Sequence, residues 1–155
     1  MEEKQFLETW EIHNRINLYL VDAIEPTALS SLSASKGRSV GEQFAHIHNV
    51  RLMWLKAAAP ALLKGLAKVE KDGALDKKVL RKSLIDSGEA IKLLLSQSFQ
   101  QGGKIKGFKP HTVAFLGYLI SHESHHRGQI ILSLKQAGKT LDKKILYGIW
   151  EWGVR

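Results

Sequence analysis

Apolar residues recur at helical spacing along four long stretches of this chain, and no stretch shows the alternation expected of a strand. The first helix is expected from about Lys4 to Ile24, with Phe6, Trp10, His13, Leu20 and Ile24 on one stripe and Pro26 ending it. A serine-rich connector from Thr27 to Arg38 follows. Ser39 with Glu42 three residues later forms a capping box, each side chain satisfying an orphan donor of the first turn. That second helix should continue to about Ala59 and stop before Pro60. Lys64 to Gly73 reads as a short helical turn and a charged loop.

Asp76 is a good N-cap for a third helix reaching about Gln101, where Gly102-Gly103 stops it. After a basic loop from Lys104 to Lys109, Pro110 suits the first turn of a fourth helix and Gly138 its C-terminal cap. The tail, Lys139 to Arg155, should hold one short helix around Lys143 to Trp152. Each amphipathic helix must bury its stripe against the others, so the expected fold is an all-α four-helix bundle, one domain spanning residues 1–155.

Composition narrows the chemistry. The chain has 155 residues, 44% hydrophobic and 25% charged, enough for a real core. It has no cysteine, which removes disulfides, thiolate ligands and a cysteine nucleophile, and leaves histidine and carboxylate as metal ligands. The start, Met1-Glu2-Glu3-Lys4-Gln5, lacks a basic segment followed by an apolar run, so no signal peptide is expected. The apolar run from Val113 to Ile120 falls far short of the roughly 20 residues of a membrane span. A cytoplasmic protein is the default. The net charge of +8 raises the prospect of nucleic acid or an anionic small molecule. The cations, from Lys64, Lys68 and Lys71 through Lys104, Lys106 and Lys109, are scattered near helix ends and loops, which fits a solvated surface better than a nucleic-acid face.

On the fourth helix, Phe115, Leu119, His122, His126 and Ile130 fall on one apolar stripe. Two imidazoles four residues apart, roughly 6 Å from each other at their roots, therefore point into the bundle. Burying both is costly unless each has a partner, and a metal ion would partner both at once; hydrogen-bonded core histidines are the alternative. The second helix offers His46 and His48, which project about 160° apart. His46 lies with Val50, Met53, Trp54 and Ala57; His48 lies with Phe44, Leu52 and Leu55. Both faces are apolar, and periodicity does not choose between them. His13, on its own apolar stripe, is read as packed or groove-lining before it is read as a fourth ligand. His111 lies about 16 Å along the helix from His122 and cannot share an ion with it. His125 points away from His122.

His122-Glu123-Ser124-His125-His126 matches the H-E-x-x-H pattern of zinc proteases, in which the glutamate is a general base. No strand is expected beside the helix and no third ligand follows at metzincin spacing, so peptidase activity is not the expected one.

Two segments together carry a resemblance: Gly37-Arg38-Ser39-Val40-Gly41-Glu42-Gln43-Phe44-Ala45-His46-Ile47-His48-Asn49-Val50-Arg51, and His122-Glu123-Ser124-His125-His126-Arg127-Gly128-Gln129-Ile130. The chain resembles the DinB/YfiT superfamily of bacterial proteins over essentially its whole length, including Tyr147-Gly148-Ile149-Trp150-Glu151-Trp152. The resemblance implies an up-down-down-up four-helix bundle with a three-histidine metal site, its ligands matched by His46, His122 and His126. It implies that His48 and His125 are not ligands. Some members are thiol-dependent S-transferases or isomerases; the family's damage-inducible label does not imply DNA binding.

Three neutral imidazoles leave an ion its full charge and an open position, the arrangement of a catalytic site. The expected function is a metal-dependent transferase or hydrolase in which an exogenous low-molecular-weight thiol, or water, attacks a small electrophile. The alternatives are a non-catalytic metal-binding or ligand-sensing bundle and a nucleic-acid binder. Zinc or nickel heads the expected ions, with iron or manganese also compatible. Gln129 is expected to orient a ligand or bound water, and Gly128 to let two helices approach closely. Arg51 and Arg127 could steer an anion, though interhelical pairing or solvation is the first reading. Trp54, Phe115, Tyr147 and Trp150 are read as core aromatics before pocket walls. A homodimer paired through helix faces is expected.

Overall fold

The computed structural model describes residues 2–155. Among these residues there are five α-helices: α1 (Glu3–Ala23), α2 (Val40–Ala58), α3 (Lys77–Gln100), α4 (Thr112–Gln136) and the short α5 (Lys143–Gly148). Among the described residues there is no strand, only an isolated bridge between Ile105 and Phe108. No described helix is long and apolar enough to cross a membrane.

The helix starts follow local chemistry. Ser39 caps α2 through the expected capping box, its hydroxyl accepting from the Glu42 N–H at 3.2 Å while the Glu42 carboxylate accepts from the Ser39 N–H at 2.8 Å. Asp76 caps α3 by accepting from the Lys78 and Val79 N–H groups. At α4 the expectation is corrected: His111, not Pro110, sits at the start, its Nδ1 accepting from the Ala114 N–H at 3.1 Å. Pro110 lies just outside the helix, because a side-chain acceptor is what the first turn lacks.

Two apolar clusters fill the bundle, and together they give its topology. One gathers Leu20, Val21 and Ile24 from the end of α1, Val40, Phe44 and Ile47 from the start of α2, Leu80 and Leu84 from the start of α3, and Ile130 and Leu134 from the end of α4. The other gathers Phe6 and Trp10, Leu55, Ile91, Leu94 and Leu95, and Phe115, Leu116 and Leu119, from the opposite ends of the same helices. So α1 and α4 run one way and α2 and α3 the other, an up-down-down-up bundle. Around it, α1 packs on α3, α3 on α2, and α2 on α4. Because α2 and α3 are parallel neighbours, the connector between them must return the full length of the bundle. It does so beside α2, placing Leu62 and Leu63 against the second cluster and Val69 and Ala74 in the first.

Glycines allow close approach inside the bundle. A Cβ on Gly41 would lie 1.8 Å from the Ala74 carbonyl oxygen of the connector, and one on Gly88 would lie 2.3 Å from the Asn14 side chain of α1. Gly128, expected to serve this purpose, has open space around it.

Candidate metal centre

Between the two apolar clusters lies a buried polar layer to which each long helix contributes. Glu123 of α4, 1% exposed, is its centre. Arg51 of α2 donates to both of its oxygens at 2.7 Å, His13 Nε2 of α1 lies 2.8 Å from Oε2, and Asn17 Nδ2 donates to Oε2 at 2.7 Å. Arg51 also donates to the Leu84 carbonyl and the Ser87 hydroxyl of α3 and to Asn14 Oδ1. Arg127 donates to Asn17 Oδ1 and to Ser124, and its Nη1 lies 3.4 Å from His13 Nδ1. Burial alone would raise the Glu123 pKa, but the Arg51 charge and the hydrogen bonds from Arg51 and His13 hold it far below the usual carboxylate range. Burial keeps His13 neutral. Arg51 and Arg127 are thus interhelical partners, and Glu123 is a fully engaged carboxylate.

One helical position away, the other face of α4 turns outward to the α2–α4 seam. There His46, His122 and His126 converge, each offering a ring nitrogen within 4.8 Å of the others. Their ring centroids lie 4.6 Å (His46–His126), 4.7 Å (His122–His126) and 5.4 Å (His46–His122) apart. Desolvation lowers all three pKa values, partly offset at His122 by the Glu123 charge; His126 falls to about 4, pushed by burial and then by His122 and His46. At neutral pH the cluster is uncharged and its lone pairs are available. Gln43 orients one of them. Its Oε1 accepts from His126 Nδ1 at 2.6 Å, leaving Nε2 of that ring as the free donor atom.

The donor set fits a divalent transition ion. His122 Nδ1 is buried and has no hydrogen-bond partner, an arrangement that costs free energy unless something outside the chain meets that ring. Three imidazoles and no thiolate are a borderline-soft set of the kind that zinc, nickel, copper and iron accept. Tyr118 stacks on His122 at 6.1 Å and joins Trp54, Phe108 and Phe115 in an aromatic wall on the α4 N-terminal side.

The other histidines lie elsewhere. His48 is 1% exposed, its Nδ1 2.9 Å from the Ser83 carbonyl and its Nε2 2.8 Å from the Ala67 carbonyl, so both nitrogens are occupied. His125 is exposed, and Gln129, expected to support the site, lies 3.0 Å from His125 instead. Gln43 is the residue sequence reasoning missed; its only signal was a position three residues before His46. Of the four aromatics, Trp54 and Phe115 pack together, whereas Tyr147 and Trp150 are 71% and 75% exposed and belong to no core. Tyr147 lies in the six-residue α5 and Trp150 just beyond it, too short a stretch to define a face.

A family model described as the DinB family matches residues 1–147. No curated protein and no solved structure gives a match.

Proposed function

The chain belongs to the DinB family, and on that footing we propose that it is a metal-dependent enzyme whose His46, His122 and His126 hold one divalent transition ion, zinc or nickel ahead of iron or manganese. The observation that carries the proposal is the convergence of three uncharged imidazoles, one with a buried and partnerless nitrogen, on a single point of the α2–α4 seam. When bound, such an ion supplies Lewis acidity and an open coordination position to an incoming small molecule.

The chain's own residues do the rest. Gln43 fixes the tautomer and orientation of His126, and the lowered pKa values keep the three rings unprotonated in the neutral range. Because the chain has no cysteine, a sulfur nucleophile must come from outside. In the proposed reaction a thiol or water loses its proton to solvent, its sulfur or oxygen bonds to the electrophile, and the leaving group departs with its electron pair. Glu123 takes no part as a base, since its two oxygens are spent on Arg51, His13 and Asn17. That same engagement weighs against the peptidase reading of H-E-x-x-H. The proposal takes residues 1–155 as one domain, paired with a second copy through helix faces and working in the cytoplasm.

A second reading, a non-catalytic metal-binding or ligand-sensing bundle, is favoured by the make-up of the cluster, which among the described residues groups three histidines and no carboxylate. The two separate in a screen of small thiols against alkyl halides and epoxides, with metal-loaded and stripped protein. Thiol consumption by the loaded protein, lost in His122→Ala, is expected; full metal occupancy without turnover across the panel would leave the second reading standing.

A further inference from the structure

With Arg51 and Arg127 tied into the core, a different cation, Arg38, shares a cleft with His46. It precedes the Ser39 cap, after a turn in which Lys36 and Gly37 both adopt positive φ (64° and 92°). That turn is held in place. Ser33 Oγ donates to the Lys36 carbonyl at 3.0 Å, the Ala34 N–H donates to Gln136 Oε1 of α4 at 2.7 Å, and the Val40 N–H donates to the Ser31 carbonyl at 2.9 Å. Arg38 is therefore carried by an anchored loop.

Arg38 lines two clefts, one of which it shares with His46 and the other with Gln43, the partner of His126. One, of about 370 Å³, contains His46 and Asn49 and runs toward Lys68 and Lys71 on the connector. The other, of about 280 Å³, contains Gln43 and Gln129. The first also holds two acids, but neither neutralises Arg38. Glu42 gives an oxygen to the Ser39 N–H, and Glu70 sits 3.7 Å from Lys68. Among the described residues Arg38 and Lys71 make no ion pair. Tyr118 stacks on His122 of the cluster, with Trp54 packed against Tyr118.

The geometry points to Arg38 as a specificity-determining residue: the small molecule that occupies this site carries an acid group, which the Arg38 guanidinium receives while the rest of the molecule meets the histidine cluster. This inference rests on the metal reading proposed above and names the substrate class, a small anionic compound. Arg is suited to the task because its planar fork meets a carboxylate through two parallel donors. Lys71 adds a second, less directional positive charge at the far side of the larger cleft.

The test uses cobalt(II)-loaded protein, titrated with 3-mercaptopropionate and with its uncharged counterpart 3-mercapto-1-propanol. The d–d bands report metal binding and the thiolate-to-cobalt charge-transfer band reports thiol binding, so neither readout depends on turnover. Wild type should bind the carboxylate about three- to tenfold more tightly than the alcohol. Arg38→Gln should remove that preference without changing the d–d bands or the affinity for the alcohol, and Arg38→Lys should keep part of it. Equal affinities in wild type, or an unchanged preference in Arg38→Gln, would overturn the assignment of Arg38 alone. Absence of cobalt bands would overturn the metal reading and this inference with it.

Discussion

Arg51 of α2 and Glu123 of α4 meet through two parallel hydrogen bonds of 2.7 Å, Nε to Oε1 and Nη2 to Oε2, with both side chains withdrawn from solvent. The same two helices carry His46 and the His122–His126 pair. Since Glu123 follows His122 directly, pinning its carboxylate to Arg51 sets the rotation of α4 and turns the two imidazoles toward the α2 histidine. The ion pair and the histidine cluster are two consequences of one helix register.

Breaking that pair should be costly. Glu123→Ala leaves a buried guanidinium with its charge uncompensated, for which the expected loss is about 3–5 kcal/mol. Urea unfolding of the metal-free protein measures it. A loss under about 1 kcal/mol, the range of an exposed pair, would show that the layer is better hydrated than its burial indicates.

Gln43→Ala removes the acceptor that orients His126 while leaving all three candidate ligands in place. Loss of such a supporting hydrogen bond typically lowers metal affinity about 10–100-fold. Chelator competition should show that drop for Gln43→Ala and none for Gln129→Ala, whose side chain contacts His125. Equal affinities in the two variants would make the Gln43 bond incidental.

The pH dependence of the metal-free protein follows from the same rings. His126 has a folded pKa of about 4, against roughly 6.5 in an unfolded chain. Between those values the unfolded state binds a proton that the folded state does not, so stability must fall as pH falls through that window. Its contribution is fully present above the unfolded value. Glu123 adds a second loss at lower pH: its carboxylate is held ionised in the fold, so protonation begins to favour the unfolded chain below about 4.3. Thermal melts across pH 3–8 should show stability declining from the first window onward, and His126→Asn should flatten the upper part. A melting temperature independent of pH between 4 and 6.5 would contradict the burial of these rings.

Much of this was legible in the chain because it is encoded locally. The Ser39–Glu42 box, the Asp76 cap and the Gly102-Gly103 stop each depend on neighbours within a turn, and all stand where the sequence puts them. The choice between His46 and His48 was not legible from periodicity, because α2 is packed on two sides. The connector that covers His48 offers it the Ala67 carbonyl, and such an irregular segment has no period to read. Arg51 and Glu123 are 72 residues apart and were read as separate features. A signal did exist: each is a charge on a largely apolar helix stripe, Arg51 beside His48 and Leu55, Glu123 with Arg127 beside Leu116, Leu119 and Ile130. Two opposite charges so placed are expected to find each other inside. Gln43 and Arg38 depend on how α2 and α4 face each other, and nothing within a single helix reports that.

The most direct measurement is the metal content of protein expressed without a histidine tag, determined by elemental analysis for wild type, His122→Ala and His125→Ala. The account predicts about one transition ion per chain in wild type and in His125→Ala, and its loss in His122→Ala. Equal metal content in wild type and His122→Ala, or no transition metal taken up by wild type, would contradict it.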